Sequence, residues 1–128
     1  IEAPIGRHPA QRTRMAVVAR GRVAITHFEV LQHFARATLL RCRLETGRTH
    51  QIRVHLQSLG NPLVGDPVYG KKRSADTLLA AFPRQALHAA RLEFEHPVRN
   101  ATVAWHAPPP ADMRTLLAAL QAQPDSSA

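Results

Sequence analysis

The sequence predicts an α+β fold: a mixed, mainly antiparallel sheet with flanking helices. Three observations point there. Residues 38–44 (TLLRCRL) alternate, with Leu40, Cys42 and Leu44 on one face and Arg41 and Arg43 on the other. That is the period of a half-buried strand with a basic outer face. Residues 49–59 repeat at helical spacing and end at Gly60. The elements then run strands, helix, strands, helix, an order that favours antiparallel pairing over repeated crossovers.

From the N-terminus, residues 1–14 are polar, basic and broken by Pro4 and Pro9, so a flexible, loosely ordered arm is expected. An apolar run at 15–19 precedes a turn at Arg20-Gly21-Arg22. β-Branched and aromatic residues at 23–31 predict a strand, which a link at 33–37 joins to the strand at 38–44. Thr49 is the expected N-cap of a helix whose Ile52, Leu56 and Leu59 form an apolar stripe. Arg53 falls about 100° from Ile52, on the flank of that stripe. A charge partly buried there needs a partner. A Gly- and Pro-rich loop spans 61–73, and weak helical character marks 74–82. Strands are expected at 87–98 and 101–107, around a turn at 97–100. Asp112 can cap a final helix with Met113, Leu116, Leu117 and Leu120 on one face, and residues 124–128 form a polar tail.

The 128 residues carry 17 Lys plus Arg against 9 Asp plus Glu, a net charge of +8. The only lysines are Lys71 and Lys72, so nearly all the positive charge is guanidinium. Guanidinium suits bidentate contact with phosphate and stacking on bases. The clustering of Arg48, His50, Gln51, Arg53 and His55 favours a polyanionic partner, against the plainer reading of a solvated basic face. If the turn folds back, Arg41 and Arg43 with Arg48 and Arg53 line one side of a groove.

Other chemistries fit less well. Single Cys42 allows no internal disulfide and no cysteine-rich zinc site, and is compatible with a reducing cytoplasm. His50 and His55 are five apart and do not share a helical face, and no HExxH occurs, so no metal is expected. No GxSxG elbow is present. Gly65 to Gly70 with Lys71 and Lys72 resembles a P-loop only superficially, because Lys72 stands where Ser or Thr is needed. Asp66, a lone carboxylate in a glycine-rich loop, reads as a loop-holding acceptor of backbone N–H bonds more readily than as a nucleophile. No apolar run of about 18 residues exists, so no membrane span is expected. The N-terminus does not read as a signal peptide.

Five motifs carry a resemblance. They are ETGRTHQIRVHL at 45–56, GNPLVGDPVYG at 60–70, RQALHA at 84–89, LEFEHP at 92–97 and WHAP at 105–108. In this order they resemble the RluA-type pseudouridine synthases. The resemblance implies isomerisation of uridine to pseudouridine in structured RNA, here large-subunit (23S-type) ribosomal RNA, without cofactor or metal. It implies a catalytic domain of which residues 15–123 are the C-terminal part. The family's nucleophile is an aspartate in an HRLD-type motif, which an arginine partners. Arg53 matches that arginine. No HRLD occurs in these residues, so the acid facing Arg53 is expected to lie outside the chain, and the chain alone is expected to be inactive. Leu92 resembles the apolar wall of the uracil pocket. Arg41, Arg43, Arg48, His50, Lys71 and Lys72 are the expected RNA contacts. Two alternatives stay open: a non-catalytic RNA-binding module and a purely structural basic domain.

Overall fold

A computed structural model of the chain describes residues 1–70, 77–89, 91–95 and 102–122. Three antiparallel strand pairs carry the architecture. β1 (Ile5–Arg7) pairs with β2 (Met15–Val17), β3 (Thr26–His33) with β4 (Thr38–Leu44), and β5 (Arg91–Glu95) with β6 (Thr102–His106). The helices are α1 (Gln51–Ser58), α2 (Thr77–Ala80) and α3 (Ala111–Gln121). The class is the expected α+β. Among the described residues the strands form three separate two-stranded ladders, all antiparallel, instead of one long sheet. Isolated bridges Glu2↔Ile25 and Ile5↔Arg22 tie the first ladder to the entry of β3.

The expected loose arm at 1–14 is corrected. Ile5 is 1% exposed and packs with Ala24, Val54 and Tyr69. The Ile1 nitrogen donates to the Thr26 carbonyl at 2.7 Å. The two prolines flank β1 and do not interrupt it. The Pro4 carbonyl accepts the Val18 N–H at 3.1 Å, and Pro9 lies beyond the last strand residue. Ile5, between them, anchors β1 to the core, while most of residues 7–13 stay exposed.

The β3–β4 hairpin follows the predicted alternation. Phe28 faces Cys42 and Val30 faces Leu40, with an irregularity between Val30 and Gln32 that leaves Leu31 unpaired. The Phe34 N–H closes the turn on the Ala37 carbonyl at 2.8 Å. The apolar face of this hairpin stays half open, with Phe28, Val30 and Leu44 each 43–45% exposed. Burial pushes the Cys42 thiol pKa up, as suits an inert side chain.

Helix α1 departs from its expected stripe. Gln51, Arg53, Val54, His55 and Leu56 are buried, whereas Leu59 is 49% exposed. Its N-cap is His50, not Thr49, and His50 adopts the left-handed conformation at φ 56°, ψ 26°. The C-terminus ends as predicted. Gly60, at φ 83°, donates to the Gln57 carbonyl, and Asn61 donates to Leu56, the paired bonds of a Schellman motif.

A second core joins Phe82, Leu116 and Leu120, with Phe34 and Val64 packed against it. Asp112 is not the α3 cap; Pro110 is. Asp112 sits in the first turn, where a carboxylate suits the helix dipole, and pairs with Arg84 at 2.8 Å. The expected turn at 97–100 and tail at 124–128 lie outside the described residues.

Candidate functional site

The GDPVYG loop and α1 meet around one buried ion pair. Gly65 turns the chain at φ 75°, and a Cβ there would lie 2.1 Å from the Arg84 carbonyl oxygen, so only glycine fits. The turn aims the next side chain inward. Asp66 Oδ1 accepts the backbone N–H groups of Val68 and Tyr69, each at 3.0 Å. This is the loop-holding role the sequence suggested. The same carboxylate takes a fork from Arg53: Nε to Oδ2 at 2.8 Å and Nη2 to Oδ1 at 2.9 Å. The Asp66 side chain is fully buried and that of Arg53 is 11% exposed.

The electrostatics follow from this geometry. Burial alone would push the Asp66 carboxyl up. The Arg53 fork, then the two backbone N–H groups, outweigh burial and hold the carboxyl at about 2, down from 3.8. The hydrogen bond to Asp66 likewise raises Arg53, against the opposing effect of burial. Both groups are therefore charged near neutral pH. Among the described residues, Nη1 of Arg53 has no partner.

Tyr69 organises the surroundings. It is 3% exposed, and its ring lies 5.0 Å from the guanidinium of Arg53 and 5.1 Å from that of Arg14. Such cation–π contacts strengthen when desolvated. Its hydroxyl accepts the Met15 N–H at 2.9 Å and shares a 2.8 Å hydrogen bond with His50 Nδ1. The left-handed backbone of His50 costs energy that this bond helps to offset. Arg14 Nε is buried without a hydrogen-bond partner.

The other polar residues of α1 are committed to the interior. Gln51 Nε2 donates to Thr26 Oγ1 at 2.9 Å and to the Ile25 carbonyl at 3.0 Å. Its Oε1 accepts from the Thr46 hydroxyl and the Arg48 N–H. Thr26 Oγ1 lies 2.7 Å from His55 Nδ1, and His55 Nε2 lies 2.8 Å from the Ala3 carbonyl. A carbonyl can only accept, so Nε2 carries the hydrogen and Nδ1 takes the threonine proton. Much of the polar crowding that suggested a polyanion thus serves an internal network.

Of the expected site residues whose side chains are described, only Arg53 and His50 meet, both at Tyr69. The acid partner of Arg53 was expected outside the chain; in the structure it is Asp66, thirteen residues on. Arg41 is exposed and pairs across the hairpin with Glu29 at 2.9 Å, and Arg43 is exposed on the same face. Arg48 Nε donates to the Val23 carbonyl at 2.8 Å. Among the described residues, no hydrogen bond or ion pair joins Arg41 or Arg43 to the Arg53 cluster. Leu92 lies in β5 opposite Trp105. Lys71 and Lys72 lie outside the described residues. Sequence reading missed the pairing of Arg53 with Asp66, and it missed Arg14 and Tyr69. A signal for the first existed: Asp66 is the only acid between Glu45 and Asp76.

The sequence profile described as RNA pseudouridylate synthase matches residues 1–58. Ribosomal large subunit pseudouridine synthase D of Nitrosomonas europaea is 55% identical over 99% of this chain. The proteins of that name from Pseudomonas aeruginosa and Escherichia coli K12 are 51% and 47% identical, over 94% and 95% of the chain. The chain is thus similar to pseudouridine synthases along nearly its whole length. It spans 38–40% of the length of these relatives. The solved structure of Human RNA Pseudouridylate Synthase Domain Containing 1 matches with a TM-score of 0.70 at 28% identity, covering 98% of this chain and 60% of that one. Arg53 lies within the segment that the profile matches and Asp66 lies eight residues beyond its end. Among the described residues, no group of three His, Cys, Asp or Glu could hold a metal ion, and no helix is long and apolar enough to cross a membrane.

Proposed function

We propose that this chain forms part of a synthase that isomerises uridine to pseudouridine in large-subunit ribosomal RNA, with the work done in the cytoplasm. The observation that carries this reading is the 55% identity, over 99% of the chain, to a protein named for that activity. The target base leaves its stack at a cost of a few kcal/mol. The N1–C1′ bond breaks, a C5–C1′ bond forms, N1 gains a proton and C5 loses one. The nucleophile is an aspartate of an HRLD-type motif in the whole protein.

Arg53 supplies the fixed cation beside that nucleophile. Asp66 takes Nε and Nη2 and so locks the guanidinium plane, which leaves Nη1 for a second anion. A cation held there keeps an approaching carboxylate ionised. Tyr69 stacks against the guanidinium and so also holds it. Leu92 serves as an apolar wall for the base. Arg41, Arg43, Arg48, His50, Lys71 and Lys72 contact the RNA, which makes affinity salt-dependent.

The test uses the whole protein and a ribosomal RNA transcript carrying tritium at uridine C5, which isomerisation releases to water. Arg53→Lys keeps a charge but not the fork. It should cut turnover far more than RNA affinity, with a melting temperature measured alongside. Arg41→Ala and Arg43→Ala should mainly weaken binding. Equal affinity loss in all three would reduce Arg53 to a phosphate contact. Turnover by the 128-residue chain alone would overturn the assignment of the nucleophile to another segment.

A further inference from the structure

The first hairpin carries a basic pocket that the Arg53 cluster does not use. A cavity of about 220 Å3 opens beside β1, lined by Arg7, His8, Arg12 and Arg20, with Gly6 and Val18 in its wall. No acid lines it. The segment that bears these side chains is a built turn. The His8 N–H donates to the Arg14 carbonyl, and the Arg14 N–H donates to the Gln11 carbonyl, both at 2.9 Å. Arg7 is itself restrained, because its Nη1 donates to the Arg12 carbonyl at 3.1 Å.

His8 fixes the sign of the pocket. Its Nδ1 accepts two backbone N–H groups, from Ala10 at 3.1 Å and Gln11 at 2.9 Å. The hydrogen of the neutral ring therefore sits on Nε2, which is a donor. Every polar side chain of the lining is then a donor, three of them permanently cationic. Such a pocket has no use for a cation or a donor-rich ligand, and its charge favours an oxyanion over a neutral acceptor.

We propose that this pocket binds a phosphodiester group of the RNA backbone. The volume lies below the roughly 300 Å3 at which pockets take drug-sized ligands, so the occupant is a small group and not a whole nucleotide. Arg7, Arg12 and Arg20 are exposed, so a polymer can reach them. Arginine forks match phosphate oxygens two at a time. The site fixes the register of the RNA and carries no base information. It rests on the RNA reading above.

The test follows binding of the whole protein to a labelled large-subunit RNA fragment by fluorescence anisotropy across salt concentrations. Variants Arg12→Ala, Arg20→Ala and their double are compared, with thermal melts as the folding control. Each lost phosphate contact should flatten the slope of log affinity against log salt by about 0.7–0.9, and Arg20→Lys should restore most of it. Unchanged slopes in chains that still bind RNA overturn the pocket and leave the functional reading standing. No binding by the unaltered whole protein at low salt overturns both. A parallel titration with inorganic phosphate separates the two sources of the anion. Saturable phosphate binding lost in the double variant, with RNA slopes unchanged, would make this a free-phosphate site and refute the backbone assignment.

Discussion

Replacing Asp66 by Asn removes one charge from the centre of the fold while keeping its shape. The carboxylate accepts four hydrogen bonds: two from Arg53, and one each from the Val68 and Tyr69 N–H groups. An asparagine with its carbonyl at the Oδ1 position still serves both backbone groups and Nη2. Its amide then faces Arg53 Nε, donor against donor, and the guanidinium loses its counter-ion at 11% exposure. Two estimates bracket the cost. The depression of the carboxyl from 3.8 to about 2 corresponds to about 2 kcal/mol of preference for the ionised form. Stranding one partner of a buried pair costs about 3–5 kcal/mol. The second applies more directly, because it includes the buried cation left behind, so a loss of about 3 kcal/mol is expected. Urea unfolding at pH 7 should show a lower midpoint with an unchanged slope. The cycle with Arg53→Met and the double variant isolates the pair. The double variant should be less damaged than the sum of the singles by about 2 kcal/mol. A loss below about 1 kcal/mol for Asp66→Asn, or strict additivity in the cycle, would refute the buried pair as the organiser of this loop.

The same carboxyl predicts an acid response. Its folded pKa lies below its unfolded value, so the unfolded chain binds more protons and stability rises with pH. The contribution is full above 3.8, is lost as pH falls toward about 2, and should vanish in Asp66→Asn when unfolding is followed over that range. Tyr69→Phe keeps the ring but strands the Met15 N–H and frees His50; about 1–3 kcal/mol should be lost, with faster hydrogen exchange at Met15. Thr26→Val preserves shape but leaves His55 Nδ1 and one Gln51 hydrogen without partners, which should cost about 1–3 kcal/mol in the same unfolding assay. Leu116→Ala opens the second core and should cost about 2–5 kcal/mol, with little effect on RNA affinity by anisotropy.

The local elements were legible because they depend on neighbours along the chain. The alternation at 38–44 became β4, Gly60 ended α1, and the paired link at 33–37 became the turn of the hairpin. The motif string from Glu45 to Trp105 was enough to raise the resemblance to pseudouridine synthases, since side-chain identity at fixed spacing needs no coordinates. What the sequence hid was which polar groups satisfy one another. Asp66 reaches Arg53 across thirteen residues, His55 reaches Ala3 across 52, and Tyr69 reaches Met15 across 54. A helical wheel assigns Gln51 and His55 to the wet side because it prices them as lone polar groups. In the fold each has its hydrogen bonds complete, and a satisfied polar group can be buried. The first fourteen residues were misread for the same reason: Pro, Arg and Gln look disordered until Ile5 finds Val54 and Tyr69. Periodicity along the chain decided where the strands and helices lie; complementarity across it, which only the tertiary structure supplies, decided which charges face inward and what neutralises them.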